Sequence, residues 1–222
     1  GRLAFLFGTD PPGQQPVLLT PQIAGGFIGH AISALFGGSL YRKTSFLLDS
    51  MGKPVFAPLV DIVDDPFIAQ AYASSPFDQE GVTCQRRSII EKGVVRGYFL
   101  SAYSARKLGM QSTGNAGGNH NLLVTPTMRG DTAVLARQMG RGLVVTELMG
   151  QGVNPVTGDY SRGAAGFWVE GGEIAYPVSE ITIAGNLLDL YQRIVAIGDD
   201  IDRRGSKLVG SLLIESMQIA GT

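Results

Sequence analysis

Glycine is spread through this chain at about twice its usual frequency, at 31 of 222 positions. The glycines form no repeat and few serine-rich runs accompany them, which argues against a flexible linker. They indicate many tight turns and places where two backbone segments approach closely. The clearest turn is Glu170-Gly171-Gly172-Glu173, which predicts a β-hairpin.

Charge and cysteine content exclude several classes of protein. The net charge is -1 and the basic residues are scattered, whereas a nucleic-acid surface needs a basic stripe. The single cysteine, Cys84, excludes a disulfide framework and a zinc site built from several thiolates. No apolar run approaches the roughly 20 residues of a membrane span, and no signal peptide is visible. We expect a cytoplasmic protein that contacts neither nucleic acid nor a membrane.

A helix with one thin side is predicted near the start of the chain. Pro21 suits the first helical position, and Thr20 before it can serve as the N-cap. Apolar residues recur at helical spacing up to Leu35, and Gly37-Gly38 ends the run. Small residues occupy the helix at Gly25, Gly26, Gly29 and Ala34. A neighbouring segment can therefore pack closely against this helix.

The rest of the chain alternates strand and helix patterns without a domain boundary. Residues 1–15 are predicted to be an irregular lead-in, and residues 111–121 a polar loop. Helical segments are predicted at 66–72, 103–108, 132–139 and 186–195. Strands are predicted at 16–19, 55–63, 82–90, 94–103, 143–148, 164–170, 173–176 and 180–184, with a last one at 211–214 or 217–219. Strand runs joined by hairpins, with a few packed helices, predict a single α+β domain with largely antiparallel sheets.

Six segments of the sequence resemble one known family, in that family's order. They are 37–53 (GGSLYRKTSFLLDSMGK), 75–82 (SPFDQEGV), 101–109 (SAYSARKLG), 112–121 (STGNAGGNHN), 142–170 (GLVVTELMGQGVNPVTGDYSRGAAGFWVE) and 176–187 (YPVSEITIAGNL). Together they resemble the TldD/PmbA family from about residue 16 to the C-terminus. The parts at 146–152 and 157–170 resemble the PmbA branch, also called TldE, rather than the TldD branch.

The resemblance implies a two-subunit metallopeptidase. One subunit carries zinc on a helical His-Glu-x-x-x-His motif with a later cysteine, and the other subunit closes the proteolytic chamber. The family is associated with maturation of precursor peptides and with modulators of DNA gyrase inhibitors. It also implies that residues 1–222 are the C-terminal domain of a longer protein whose N-terminal half is absent, which fits a first residue, Gly1, that is not methionine.

The zinc motif of the family falls on residues 29–34 of the predicted thin helix. Gly29 and Ala34 stand at the two histidine positions, and His30 stands at the glutamate position. No cysteine follows Cys84. A catalytic zinc needs about three protein ligands and a water, and hydrolysis needs a positioned base. We therefore expect no metal and no catalytic residue in this chain, with zinc in a TldD-like partner subunit.

Residues 112–121 form a glycine-rich loop that also carries polar side chains. Such a loop can present backbone N–H groups to a carbonyl or carboxylate, which suits a peptide ligand. The alternative is a structural turn that uses the positive φ angles open to glycine. The loop lacks the lysine and serine placement of a phosphate-binding loop. Its candidate peptide contacts are Thr113, Asn115, Asn119 and His120.

Two other groups are candidates for peptide or partner binding. Arg42-Lys43 follows the helix with the degenerate motif, although a basic pair near a helix end also interacts with the helix dipole. Tyr160, Ser161 and Arg162 offer hydroxyls and a guanidinium. Arg162 suits a substrate carboxylate or a partner contact, or else an exposed salt bridge. Ser161 has no base in register and no G-x-S-x-G elbow, which disfavours it as a nucleophile.

The remaining chemistry-bearing residues have simpler interpretations. His30 is a vestigial ligand, a residue that reaches into the partner's site, or a partly buried helical histidine with local hydrogen bonds. A metal held by both histidines and a carboxylate such as Asp49 or Asp159 has no clustered third ligand in the sequence. Cys84 is interpreted as a packing residue and Trp168 as part of the core.

Three functions follow as hypotheses from different classes, and the third is an independent hydrolase that uses His120 and Ser161. In the first, the chain is part of a zinc-less subunit that pairs with a zinc-bearing homologue, closes the chamber and holds an extended peptide by main-chain contacts. In the second, it is a peptide-binding or scaffold homodimer without peptidase activity, since related subunits use similar surfaces in homodimers and heterodimers.

Overall fold

A computed structural model describes residues 13–221 and confirms an α+β fold in one domain. The helices are α1 Pro21–Ala34, α2 Gly37–Tyr41, α3 Ala102–Leu108, α4 Thr132–Met139 and α5 Leu187–Gln192. The strands are β1 Gly13–Leu19, β2 Ile62–Asp65, β3 Arg87–Glu91, β4 Val94–Val95, β5 Asn121–Val124, β6 Gly142–Met149, β7 Asp159–Glu170, β8 Glu173–Asn186, β9 Ile194–Ile197, β10 Lys207–Leu208 and β11 Leu212–Gly221. None of the helices described is long and apolar enough to cross a bilayer.

The larger sheet has six strands and closes on itself. Its order is β1-β6-β7-β8-β11-β9, and β1 pairs with β11 as well, so five of the strands form a ring. Only β1 and β6 are parallel within it, which confirms the largely antiparallel pairing. A closed ring leaves few unpaired strand edges. The ring therefore gives a rigid frame on which β7 carries Tyr160 and Arg162.

The two faces of this sheet pack against different helices. Val17 and Leu19 of β1 point into the main core, which also receives Phe27 and Ile32 of α1. The residue between them, Leu18, lies in a second apolar cluster with Leu135 of α4. This alternation follows from the two-residue period of a strand. The sheet thus separates α1, which bears the degenerate zinc motif, from α4.

Tyr191 of α5 lies at the centre of the main core. Its ring stacks on Phe56 at 4.5 Å between centroids and meets the edge of Phe27 at 5.0 Å. Its hydroxyl donates a hydrogen bond of 2.8 Å to the Phe27 carbonyl, which satisfies the one polar atom of the ring. Burial raises the pKa of Tyr191 well above its ordinary value, so the hydroxyl stays protonated. This contact fixes α5 against α1.

The smaller sheet carries the glycine-rich loop. It has five strands in the order β10-β5-β2-β3-β4, with β10 and β5 parallel and the others antiparallel. β5 begins directly after the loop, at Asn121. Ile62 and Asp64 of β2 are both fully buried, because they share one face of the strand. Asp64 is therefore carried into the interior under the loop.

The neighbour that packs on the thin side of α1 is the side chain of Lys207. A methyl group built at Gly25 would lie 3.8 Å from Lys207 Cβ, and one built at Gly29 would lie 2.8 Å from Lys207 Cε. The aliphatic part of the lysine therefore runs along the helix from Gly25 to Gly29. This confirms the prediction of close packing on α1. Gly26, in contrast, has open space where a side chain would be.

Several predicted strand boundaries are wrong for local reasons. Of the strand predicted at 55–63, only the last two residues lie in a strand, which is Ile62–Asp65. The preceding residues are not in a strand because the N–H groups of Phe56 and Ala57 bind the carbonyls of Gly93 and Tyr191. The predicted strands 82–90 and 94–103 shrink to Arg87–Glu91 and Val94–Val95. The two alternatives for the last strand are parts of one long strand, Leu212–Gly221.

Predicted helix and loop ends also needed correction. Gly37 does not end helical structure but begins α2, where a side chain would lie 2.5 Å from Ser104 Cβ of α3. The predicted helix 66–72 is a series of turns that starts where Asp65 accepts a hydrogen bond from the Phe67 N–H. The predicted helix 186–195 ends at Gln192, and β9 follows.

The start of the chain and of α1 also differ from prediction. Residues 13–15 of the predicted lead-in belong to β1, and the rest of that lead-in lies outside the described residues. Thr20 occupies the N-cap position of α1, but its hydroxyl makes no capping hydrogen bond. The polar loop predicted at 111–121 ends one residue earlier, since Asn121 starts β5.

Candidate functional site

The residues predicted to hold the degenerate zinc motif, Gly29, His30 and Ala34, lie on α1. Gly29 is buried beneath the Lys207 side chain, and Ala34 is 5% exposed within the main core. His30 is half-buried, and its ring centroid is 6.0 Å from that of Tyr160 on β7. The fold therefore brings together two residues that the sequence singled out separately, His30 and Tyr160.

Two cations lie near His30. Burial lowers the pKa of His30 first, and the positive charges of Arg162 and Lys207 lower it further. Arg162 Nη2 donates a hydrogen bond of 2.7 Å to the Gly150 carbonyl, whereas its buried Nε has no hydrogen-bond partner among the residues described. Burial also raises the pKa of Tyr160 to about 12, so its hydroxyl stays protonated. His30 therefore lies in a positively charged, partly desolvated environment.

The residues at the motif do not fit a catalytic zinc ion. Gly29 and Ala34 carry no donor atom, and the Lys207 ammonium lies 3.6 Å from the point where a side chain on Gly29 would begin. A cation beside the site opposes binding of a second cation. Within residues 13–221 no three His, Cys, Asp or Glu side chains are grouped as metal ligands would be. The absence of metal stays a prediction, and metal analysis of the purified protein tests it.

We expect His30 to titrate below its ordinary pKa of about 6.5. Because the unfolded chain binds a proton that the folded chain resists, the folded state should lose stability as pH falls through 6.5 towards the lowered pKa. NMR titration of the histidine ring protons checks the pKa, and the variant His30→Gln should remove this part of the pH dependence. A His30 pKa at or above 6.5 would contradict the geometry.

The glycine-rich loop is fixed from below by Asp64. The Asp64 carboxylate accepts hydrogen bonds from the His120 N–H at 2.7 Å, from His120 Nδ1 at 3.0 Å and from Asn115 Nδ2 at 3.0 Å. Arg87 Nη1 donates to Asn115 Oδ1 at 2.8 Å and brings a positive charge towards this buried carboxylate. Asp64 was not among the candidate residues that the sequence singled out. The sequence signal that could have identified it is its position two residues after Ile62, on the apolar face of the same strand.

Cys84, His120 and Asp64 form a buried hydrogen-bonded chain. Cys84 Sγ lies 3.1 Å from His120 Nε2, and His120 Nδ1 lies 3.0 Å from Asp64. Burial raises the pKa of the Cys84 thiol, and the carboxylates of Asp78 and Asp64 raise it further. Since the thiolate is the reactive form, this cysteine is held as an unreactive thiol, 2% exposed. Cys84 therefore packs in the interior, as interpreted from the sequence, and also makes a polar contact with His120.

The other candidate residues of the loop serve contacts inside the chain. Thr113 Oγ1 donates to Asn115 Oδ1 at 2.7 Å, and Asn119 Nδ2 donates to the His120 carbonyl. The N–H groups of Thr113, Asn115 and Gly118 bind carbonyls of the protein. Most donors of the loop are thus occupied by the fold itself. A peptide contact for Thr113, Asn115, Asn119 or His120 stays a prediction.

An open groove of about 400 Å³ lies between α2, α3 and the loop. Its lining residues include the glycines Gly37, Gly38, Gly117 and Gly118 and the rings of Phe36, Tyr41, Phe99 and Tyr103. Arg42 lies over the ring of Tyr41 at 5.5 Å, next to the groove, and Lys43 is exposed with a positive φ of 57°. Glycine backbone and aromatic faces suit close approach of a peptide.

A second open cavity of about 600 Å³ lies beside β7. It is lined by residues 151–155 and by Asp159, Tyr160 and Ser161. Ser161 makes backbone contact with Gly152, and no histidine or carboxylate within residues 13–221 binds its hydroxyl. Asp159 is engaged with Thr157 and Asn186. The cavity therefore offers binding surface without a nucleophile–base pair.

The candidate residues fall into three groups. His30, Tyr160 and Arg162 lie together, as do Thr113, Asn115, Asn119 and His120, and Arg42-Lys43 lies by the groove. The two histidines belong to different groups, so they do not share a ligand set with Asp49 or Asp159. Sequence reasoning missed Lys207 and Asp64. Trp168 is in the main core, as predicted, and its Nε1 donates to Glu170.

Comparison with known proteins agrees with this fold. Residues 12–221 match the family described as PmbA/TldA metallopeptidase C-terminal domain. The chain belongs to this metallopeptidase family. A metalloprotease PmbA homolog from Haemophilus influenzae is 53% identical over 206 residues, which are 93% of this chain and 46% of that protein. A metalloprotease TldD homolog from Buchnera aphidicola is 28% identical over 85% of this chain and 41% of its own length.

Two solved structures share the fold. A candidate modulator of DNA gyrase from Bacteroides thetaiotaomicron has a TM-score of 0.90 at 33% identity, over 95% of this chain and 47% of its own. TldE from Thermococcus kodakarensis has a TM-score of 0.85 at 24% identity, over 96% of this chain and 51% of its own, a likeness of fold alone. The chain thus spans about half the length of the relatives it matches, and the family predicted from the six sequence segments is confirmed.

Proposed function

We propose that this chain is the C-terminal domain of a zinc-less subunit in a two-subunit PmbA/TldD-type metallopeptidase. One observation carries the proposal: at the family's zinc motif, Gly29 and Ala34 offer no ligand atom and the Lys207 side chain covers Gly29. Catalysis would come from a TldD-like, zinc-bearing homologue, while this subunit closes the chamber. The single cysteine, Cys84, held as a buried thiol, fits a reducing cytoplasm.

The same proposal gives this subunit a role in holding the peptide. The groove between α2, α3 and the glycine-rich loop offers glycine backbone and the exposed ring of Tyr103, which is 50% exposed. Extended peptides are recognised through main-chain contacts and pockets for alternate side chains. A precursor peptide under maturation would be held here while the partner's zinc site cleaves it.

The activity test compares this protein alone with a mixture. The full-length protein and a homologue with an intact His-Glu-x-x-x-His motif are purified separately, and cleavage of fluorescently labelled casein is measured. We expect no cleavage by this protein alone and cleavage by the equimolar mixture. The control mixture uses a homologue whose motif glutamate is replaced by glutamine, and should be inactive because the general base is lost. Cleavage by this protein alone would overturn the proposal.

The second candidate function is a scaffold or peptide-binding homodimer. It is favoured by the two open cavities, which need no partner in order to bind peptide. Native mass spectrometry of the mixture separates the two functions. A heterodimer supports the two-subunit peptidase, whereas a homodimer that exchanges no subunits with the homologue supports the scaffold.

A further inference from the structure

We propose that Lys207 and Arg162, which lie beside His30 at the degenerate zinc motif, form a carboxylate-binding site for the negative end of a peptide. The ligand class is a carboxylate, either the C-terminus of a peptide or an aspartate or glutamate side chain within it. The choice of a peptide as its source rests on the proposed function. The proposal that this site binds an anion does not depend on the proposed function.

The first step of the argument is the position of the Lys207 ammonium. Its aliphatic part is held by contact with Gly25 and Gly29, so the chain of the lysine is fixed along α1 rather than free in solvent. Lys207 Nζ ends 3.6 Å from the place where a side chain on Gly29 would start. Glycine at this position leaves room for the charged end, since a larger residue would have to displace Lys207 Cε, 2.8 Å away. A cation is thus built into the motif position.

The second step is the absence of a counter-charge. Ion pairs within residues 13–221 involve Arg86, Arg96, His120 and Arg204, and neither Lys207 nor Arg162 joins one. Both are half-buried, and burial of unpaired cations is costly. The Arg162 guanidinium donates from Nη2 to the Gly150 carbonyl, which carries no charge, so the cation is hydrogen-bonded but not neutralised. A bound carboxylate would supply the missing negative charge.

The third step is the neutral surroundings of the two cations. The lowered pKa of His30 keeps its ring uncharged near neutral pH, so the ring can accept or donate a hydrogen bond without adding a third positive charge. Tyr160 beside it keeps its hydroxyl proton and can act as a donor. The two cations attract a carboxylate, and the two neutral groups can add hydrogen bonds to it. The same two positive charges oppose binding of a metal ion at this helix.

The test follows the His30 ring signal by NMR in the full-length protein with ¹³C-labelled histidine, at pH 7.5. The His30 signal is assigned by its loss in His30→Gln. Three probes are titrated: acetyl-Ala-Ala-Ala with a free carboxylate, its C-terminal amide, and acetyl-Ala-Asp-Ala amide. We expect the first or third probe to move the His30 signal and the second to leave it in place. Which acid moves it identifies the carboxylate as C-terminal or side-chain.

Variants of Lys207 and Arg162 test whether these two cations cause the change in the His30 NMR signal. Lys207→Met keeps the length that packs on α1 and should weaken binding of the acidic probe by about tenfold or more, since a charge-assisted hydrogen bond is lost. Arg162→Gln should do the same if Lys207→Met does not fold. Lys53→Met, at an exposed lysine, is the matched control and should bind normally.

Three results would overturn the inference. They are an equal response to the acid and the amide, normal binding by both folded variants, and a His30 signal that moves with inorganic phosphate but with neither acidic peptide. Because the measurement needs no partner and no turnover, its failure is separate from failure of the peptidase proposal.

Discussion

Replacing Asp64 by alanine is expected to lower the free energy of unfolding by about 3–5 kcal/mol, the range for one partner lost from a buried charged network. Asp64 is fully buried and accepts hydrogen bonds from the His120 N–H, His120 Nδ1 and Asn115 Nδ2. Alanine would leave these donors unsatisfied and would remove the carboxylate that favours the charge of the half-buried Arg87. Thermal and urea unfolding of the full-length protein measure the loss.

The matched control for Asp64 is Asp202→Ala. Asp202 also accepts hydrogen bonds and pairs with an arginine, but Arg204 is 73% exposed, so solvent screens the pair. Its loss should cost less than about 1 kcal/mol. If the two aspartate variants unfold alike, Asp64 does not hold the glycine-rich loop. Loss of the loop should also appear as faster hydrogen exchange at Asn115 and His120, on which Asp64 acts directly.

Gly166→Ala is expected to destabilise the protein by about 3 kcal/mol or more, or to prevent folding. Gly166 lies in the middle of β7, and a methyl group there would lie 1.8 Å from the Val144 carbonyl oxygen of β6. That oxygen belongs to the backbone of the closed ring, so the clash can be relieved only by opening the pairing of β6 with β7. The measurement is the midpoint of thermal unfolding.

Gly26→Ala serves as the opposite control. Gly26 is exposed on α1 and meets nothing within 4 Å, so alanine there should stabilise the protein by about 0.5–1 kcal/mol through its higher helix propensity. A stabilising Gly26→Ala together with a destabilising Gly166→Ala would show that glycine has two separate roles in this chain. Equal effects would contradict the close approach of β6 and β7.

Local signals in the sequence predicted much of the fold. The Gly171-Gly172 turn was predicted because a two-residue hairpin loop favours positive φ at both positions, and the observed values are 56° and 79°. The helix α4 was predicted with its bounds, since Asp131 caps its start and Gly140, at φ 74°, follows its end. In both places the decisive interactions lie within a few residues of each other.

Contacts between distant segments could not be predicted from the sequence. Gly37 looked like a helix stop, but it is small because Ser104 of α3 lies against it. Residues 55–61 looked like a strand, yet their N–H groups bind carbonyls from other parts of the chain. The same limit hid the site: His30 was visible on α1, whereas Lys207 and Arg162 reach it from β10 and β7. The hydrophobic periodicity of a sequence does not show which distant residues contact each other in the fold.

The measurement that tests the central claim most directly is the zinc content of the full-length protein, purified without chelator and analysed by mass spectrometry of the metal. The claim predicts no stoichiometric zinc, because Gly29 and Ala34 lack ligand atoms and Lys207 brings a positive charge to the motif position. Stoichiometric zinc, retained after dialysis and lost with His30→Gln, would contradict it and would make this chain a zinc-bearing subunit.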